Sequence, residues 1–480
     1  MAKYTNLGHV TYISLGILLL YIAQNSSANI QSVIMEENNF DNLGFYILAV
    51  LYFFMGLGSL MSTAIINRYG TRFCLILGGF GNVQWILSTL LAVYRIQLYE
   101  QGVPVGIIYA GLIIAVIING FTVGILWASA NQYIADCSSD YNKGFFFSYF
   151  WSFYMTSQIF GNLIAAFVLG HLEQGYYFEI MAGIASIATL LFLFIKKPEP
   201  VNPNFGFQSL KLVDEALNRT HSDSDIIAQS QPASFTDDIK AVLVLLVSDR
   251  MRPMVPQLCW TGVSIAVYTG ILLPIITDTL GDAEPKEKFY LSMLAMVSLG
   301  IGEIVGAIGM GIVVDKIGSK KSCWINVILI LLQTGAVILF LLLDEYSWVA
   351  FLMTFLWGLQ DSSISIHLDA ILGFEFETNK EPFSCDVLME SIFAFSFEII
   401  QSFIKSKDSR VIYIGVVGAI GVVFCTCSYF FDYKPDALMT PDRSRIHRKS
   451  FILNKAVEDS DGGFSDPNNY ILSSEKNNQY

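Results

Sequence analysis

Three carboxylates sit at depths where an isolated charge is hard to accommodate. Asp361 and Glu303 fall centrally, and Glu398 deep, in apolar runs of roughly twenty residues, the length that crosses a hydrocarbon core of about 30 Å as a helix. An acid at mid-membrane must be paired, hydrated or protonated. Each is therefore a candidate protonatable switch whose proton is exchanged against a solute. The alternative, for Glu303, is an acid held by helix partners beside a Gly302-x-x-x-Gly306 contact. Asp278, Asp369 and Glu390 lie nearer the ends of their runs, where they can snorkel to the surface.

A second polar set occupies the first run, Gln24-Asn25-Ser26-Ser27-Ala28-Asn29-Ile30-Gln31-Ser32. On a helix Asn25, Asn29 and Ser32 share a face. Lipid is a poor neighbour for that face, because an unpaired amide in hydrocarbon costs several kcal/mol. It reads either as an interhelical hydrogen-bonding seam or as a cavity wall. The fourth run carries Trp127, Asn131 and Tyr133. Aligning Gly124 with Gly358 sets Trp127 opposite Asp361 and Tyr133 opposite His367, so the fourth and tenth runs present unlike groups to one cavity. His367 alone reads as a local hydrogen-bonding residue.

The chemistry stops there. The chain shows no metal-ligand spacing, no phosphate-cradling glycine loop and no nucleophile with a plausible partner, so neither an enzyme nor a metal or other cofactor is expected. Its basic residues form no nucleic-acid stripe.

The elements that hold these residues follow from composition. The 480 residues are 54% hydrophobic and 14% charged, with a mean hydropathy of +0.53, which implies an all-α integral membrane protein with the bilayer as its principal partner. Twelve apolar runs are expected, near 7–34, 42–66, 73–94, 105–134, a fifth after Lys143, 177–195, 254–278, 289–314, 322–343, 348–371, 384–404 and 411–431. The formal net charge of −13 hides a strong asymmetry. Lys3, Arg68, Arg72, Lys143, Lys196, Lys197, Lys316, Lys320, Lys321 and Lys380 fall on one side, which by the positive-inside rule places both termini in the cytosol. The seven cysteines suggest packing rather than disulfides, no glycan is expected at Asn25 or Asn218, and a cleaved signal peptide is not expected.

Residues 196–250 read as a cytosolic linker, polar to about 235, whose end, Ile239 to Val247, is too short to span and suits an interfacial helix. It separates an N-terminal half, 1–195, from a C-terminal half, 251–432, and 433–480 read as a disordered cytosolic tail. The tail's basic cluster, Arg443, Arg445, His447, Arg448 and Lys449, would anchor topology or meet anionic lipid at about 1 kcal/mol per charge.

One turn organises the whole. Gly311-Ile-Val-Val-Asp315-Lys316-Ile-Gly318-Ser-Lys320-Lys321 has a weaker copy in the first half, with Asn67, Arg68, Gly70 and Arg72 at the matching places. The pattern resembles the signature loop of the major facilitator superfamily, which joins the second and third helices of each six-helix half on the cytoplasmic side. The stretch from Gly124 to Ile164, with its Leu126-Trp127, Phe150-Trp151 and Gly161-Asn162-Leu163, is similar to the ion-channel regulatory Unc-ninety-three family. Gly300-Ile-Gly302-Glu303 and Gly358-Leu-Gln-Asp361-Ser362 look most like its branch called major facilitator domain protein eleven.

The resemblance implies twelve helices in two six-helix pseudo-repeats, with the first, fourth, seventh and tenth lining a central cavity. Gln24, Asn25, Asn29, Trp127, Asn131 and Asp361 are then the best site candidates, with Glu303 and Glu398 as further coupling candidates, and the two turns are conformational elements. It further implies a regulatory or chaperone subunit bound to an ion channel or receptor. The alternative is a secondary active transporter, proton-coupled or not, that moves a small solute by alternating access. Asn67 departs from the superfamily's preference for an acid in the turn, which would loosen one gate.

Overall fold

The computed structural model describes residues 5–138, 143–199, 235–376 and 380–433. The described residues are helical wherever a long apolar run occurs, because in hydrocarbon a helix satisfies every backbone donor and acceptor within itself. The first repeat contains α1 (Leu7–Glu37), α2 (Leu43–Ser88), α3 (Val105–Cys137), α4 (Lys143–His171) and α5 (Gln174–Phe192). A short amphipathic helix, α6 (Phe235–Leu246), precedes the second repeat. The latter comprises α7 (Val255–Asp278), α8 (Pro285–Ile317), α9 (Ser319–Leu343), α10 (Trp348–Phe374), α11 (Lys380–Gln401) and α12 (Lys407–Cys427).

The helices pack into one compact unit that ends at Phe431; a second, Asp432–Tyr480, is described only at its first two residues. The loop segment 200–234 and the basic cluster of the tail lie outside the described residues.

The second and third expected spans are the two arms of α2, which meet at a kink at Gly70. There φ is 80° and ψ 160°, and at Gly318, between α8 and α9, they are 81° and 156°. That region of backbone space is essentially open to glycine alone. The two copies of the charged turn thus share a conformation as well as a pattern. Arg68, Arg72, Lys316, Lys320 and Lys321 are exposed around them, with Lys320 Nζ 4.9 Å from the Tyr429 ring centre. The side chains of Asn67 and Asp315 lie outside the described structure.

Among the described residues eleven spans are long and apolar enough to cross a membrane, counting the two arms of α2 separately. The twelfth, α11, has the length but carries Glu381, Asp386, Glu390 and Glu398. It is sheltered against α2, α6 and α7. The outward faces are apolar, with Phe80, Phe167, Leu190, Leu331 and Val423 all more than half exposed.

The repeats share an internal packing motif. A Cβ on Gly124 of α3 would stand 2.2 Å from the Met55 carbonyl oxygen and 2.7 Å from Ser59 N on α2; on Gly358 of α10 it would stand 2.0 Å from Leu299 O and 3.0 Å from Glu303 N on α8. Gly58 meets Phe121 O and Gly302 meets Phe355 O at the same 2.1 Å. Backbones this close require glycine. The register makes Trp127 the counterpart of Asp361 and Ser59 the counterpart of Glu303.

Candidate functional site

The bundle has one end that carries Leu7 and Phe430 and an opposite, distal end. At the distal end the repeats are tied together. Asn42 Nδ2 donates to Ser402 O at 2.8 Å and Lys286 pairs with Glu173 at 3.0 Å, while within the second repeat Arg410 pairs with Asp278. One layer inward, Ser32 Oγ donates to Gly270 O at 3.1 Å and Asn162 Nδ2 to Met296 O at 3.0 Å, both from the first repeat to the second.

Below this seal lies a cavity of about 1060 Å³, its open mouth included. It extends toward the termini, since Asn131, Asp369 and Asp386 line it within about two turns of the ends of α3, α10 and α11. Phe383 on its rim stacks on Phe147 of the other repeat, centroids 6.2 Å apart.

The first repeat supplies amides and rings. Gln24, Asn25 and Asn131 line the cavity; Asn25 Nδ2 donates to Ser157 Oγ at 3.0 Å, while Gln24 Oε1 and Asn131 Oδ1 are buried with no hydrogen-bond partner. Trp127 lies parallel to Trp151, 17° and 5.8 Å between rings. Tyr154 meets Trp127 edge-on at 4.9 Å and Tyr21 lies 5.1 Å from it. Tyr52 of α2 and Tyr268 of α7 continue the aromatic lining.

The second repeat supplies acids. Glu303, Asp361, Asp369, Asp386 and Glu390 all line the cavity, and among the described residues no Lys, Arg or His does. Asp361 Oδ1 accepts from Ser264 Oγ at 2.6 Å, and Trp357 Nε1 donates to the Ser264 carbonyl at 3.3 Å. Glu303 is 1% exposed and its Oε2 has no hydrogen-bond partner among the described residues. Asp369 Oδ2 and Asp386 Oδ1 are likewise buried and unpartnered.

Six of the eight sequence-expected cavity residues therefore meet in one place: Gln24, Asn25, Trp127, Asn131, Glu303 and Asp361. Two do not. Asn29 is fully buried beside the cavity, its Nδ2 donating to Gln158 Oε1 and Asn162 Oδ1 at 3.1 Å, which is the hydrogen-bonding seam. Glu398 sits behind Thr269, which lines the cavity and whose hydroxyl donates to Glu398 Oε1 at 2.9 Å. Thr269 belongs to a π-helical turn, Val267–Ile271, that interrupts α7. Such turns recur at functional sites.

Asp369 and Glu390, which sequence position would let snorkel, instead face inward with Asp386. The spacing held a signal: Asp361, Ser365 and Asp369 fall at i, i+4, i+8, and Asp386 and Glu390 at i, i+4, each set on one helical face. Tyr52, Trp151, Tyr154 and Tyr268 carried no such signal. His367 is a local bonding residue: Nδ1 lies 3.1 Å from Gln257 Nε2 and from Asn326 Nδ2, and Nε2 lies 2.8 Å from Ser319 O. With the proton on Nε2, the ring donates to Ser319 O and Nδ1 accepts from the amides. Of the charged-turn residues whose side chains are described, none lines the cavity.

Chemically, the arrangement offers one polar, acid-rich cavity between two repeats, open toward one end and sealed at the other. No three His, Cys, Asp or Glu side chains among the described residues are grouped to hold a metal ion.

Comparison with known proteins agrees with this architecture. The chain is 21% identical over 404 residues to the UNC93-like protein MFSD11 of Xenopus tropicalis, covering 78% of this chain and 85% of that protein. It is 20% identical over 401 residues to the protein of the same name from Xenopus laevis, with the same coverage. Among solved structures it is similar to a D-xylose-proton symporter, with a TM-score of 0.64 at 14% identity over 89% of this chain and 98% of that one. The partially occluded inward-open xylose transporter XylE from E. coli gives a TM-score of 0.60 at 13% identity over 90% and 99%. At such identities the likeness to solved structures speaks for the fold. The Major Facilitator Superfamily model matches residues 13–374, most of the chain, and with the twin turns, the repeated glycine contacts and the central cavity this protein belongs to that superfamily.

Proposed function

We propose that the protein is a secondary transporter that moves a small solute by alternating access, with cavity carboxylates exchanging protons against it. The observation that carries this reading is Glu303, buried in the cavity wall with a carboxylate oxygen that no group among the described residues satisfies. A buried polar atom left unpaired costs about 1–3 kcal/mol, more if charged, and is retained where a proton, water or ligand completes it. The superfamily's solved xylose transporters share the fold, which is compatible with transport without specifying the solute.

The regulatory or chaperone role implied by the Unc-ninety-three resemblance requires only a helix face fitted to a channel or receptor. It leaves five inward-facing acids without a purpose. With the termini in the cytosol, as the basic residues favour, the cavity faces the cytosol and the distal seal is the closed outer gate.

Alternating access requires that the seal open. In a background lacking the native cysteines, Asn131→Cys is expected to react with an impermeant maleimide from the cytosolic side and Ser32→Cys from the outside. Each reaction should fall when the other gate is held open. A Ser32→Cys protein that resists labelling under every imposed gradient, while a channel or receptor co-purifies in fixed proportion, would favour the regulator instead.

A further inference from the structure

We infer that the cavity binds an organic cation: an ammonium or pyridinium head on an apolar, ring-sized body. The inference rests on the reading of the cavity as a solute site and adds the chemical class of the solute.

Charge is the first argument. Five carboxyl groups line the cavity and no basic side chain among the described residues does, so their charge is offset either by protons or by a cation brought in by the solute. An anionic solute would find no counter-charge there. A zwitterionic amino acid would leave its carboxylate among acids. The unpartnered Oε2 of Glu303, on a residue 1% exposed, is a receptor atom without a donor.

The opposite wall is the second and independent argument. Trp127, Trp151, Tyr154 and Tyr21 form a contiguous ring cluster, and a cation over such faces gains most from Trp. Among the described residues the cations over aromatic rings lie elsewhere: Arg95 on Phe40, Arg250 on Phe376 and Phe431, and Lys320 on Tyr429. The cavity's rings have no resident cation among the described residues. The repeat symmetry sharpens the point, because Trp127 and Asp361 occupy equivalent positions. A solute held between the repeats meets aromatic rings on one side and a carboxylate on the other.

Other classes fit less well. A divalent metal takes six or more oxygens at about 2.0–2.6 Å, and no metal-holding group of side chains occurs among the described residues. An uncharged polyol could use Gln24, Asn25 and Asn131 but would leave the acids unoffset and the rings idle.

The test uses the purified full-length protein in lipid nanodiscs and tritiated N-methyl-phenylpyridinium, whose charge does not titrate. Its uncharged isostere methylbiphenyl and the polyol xylitol serve as competitors. Saturable binding that neither competitor displaces is expected. Asp361→Asn should weaken it about 10- to 100-fold and Trp127→Ala about 3- to 30-fold, with Trp127→Phe recovering part of the loss. Glu390→Gln, on a different helix, is expected to weaken binding with an unchanged thermal midpoint, which separates a binding loss from misfolding.

Equal displacement by methylbiphenyl, or full affinity in both Asp361→Asn and Glu390→Gln, would overturn the proposal. If xylitol binds and the pyridinium does not, the solute class is wrong while the transport reading stands. If the pyridinium binds as expected but never crosses into liposomes and Ser32→Cys stays shielded, the class stands and the transport reading fails.

Discussion

Replacing Gly358 by alanine adds one methyl group at the tightest contact between α8 and α10. The new Cβ would stand 2.0 Å from Leu299 O and 2.8 Å from the Leu299 carbonyl carbon, with Glu303 N at 3.0 Å. All three neighbours are backbone, so no side chain can swing aside. Reaching the 3.4 Å at which ordinary contact begins requires the helices to part by about 1.4 Å. Overpacking in a well-packed interior costs about 1–3 kcal/mol and occasionally more; with both sides rigid, the upper part of that range is expected. The shift falls on the segment that positions Glu303 and Asp361, so ligand binding should weaken together with stability. Fluorescence-detected thermal unfolding of the purified protein measures the first, and the nanodisc binding assay the second. Gly124→Ala, the counterpart in the first repeat, should behave alike in stability, because its Cβ would meet Met55 O at 2.2 Å. Gly309→Ala on the same α8 meets nothing within 4 Å and should be neutral or stabilising by up to about 1 kcal/mol, the helix preference of alanine over glycine. A Gly358→Ala protein as stable as Gly309→Ala would refute the claim that backbone contact sets the spacing of these helices.

Glu303→Gln keeps the side-chain volume and removes the titration; proton uptake by proteoliposomes, followed with a pH-sensitive dye, should fall to background while the thermal midpoint is held or raised. Persistence of coupled proton movement in that variant would remove Glu303 from the mechanism. Gly318→Ala forces a Cβ into a backbone region at φ 81° and ψ 156° and should cost about 1–3 kcal/mol, whereas Gly311→Ala, with open space around it, should be silent in the same unfolding assay. A cysteine introduced at Ser460 should be labelled by an impermeant reagent only after permeabilisation; labelling from outside intact cells would reverse the orientation drawn from the basic residues.

Much of the architecture was legible residue by residue. The bilayer imposes a length and forbids unsatisfied backbone, and both conditions act locally, so runs of apolar residues mark the helices without knowledge of their neighbours. The twin turns could be read because their glycines adopt a backbone that other residues avoid, and the repeat register because Gly124, Gly302, Gly306 and Gly358 mark where backbones touch. The acids in α11 made its depth in the bundle harder to read, since composition alone scores it as less apolar than its neighbours.

The cavity itself was only half legible. Sequence by itself determined that polar groups are buried in α1, α3, α8 and α10; tertiary packing decided which of them meet. Asn29 and Glu398 turn into helix contacts, while Asp369, Asp386 and Glu390 turn inward and the rings of α1, α3 and α4 close into one wall. The reason is rotational. Successive residues of a helix point about 100° apart, so a small change of phase or tilt moves a side chain from seam to cavity. The π-turn at Val267–Ile271, which brings Thr269 to the cavity and leaves Glu398 behind it, alters that phase in α7. No local pattern specifies a helix's rotation about its own axis; the glycine contacts, the Ser264–Asp361 bond and the cross-repeat bonds from Ser32 and Asn162 set it, and they exist only once the helices have assembled.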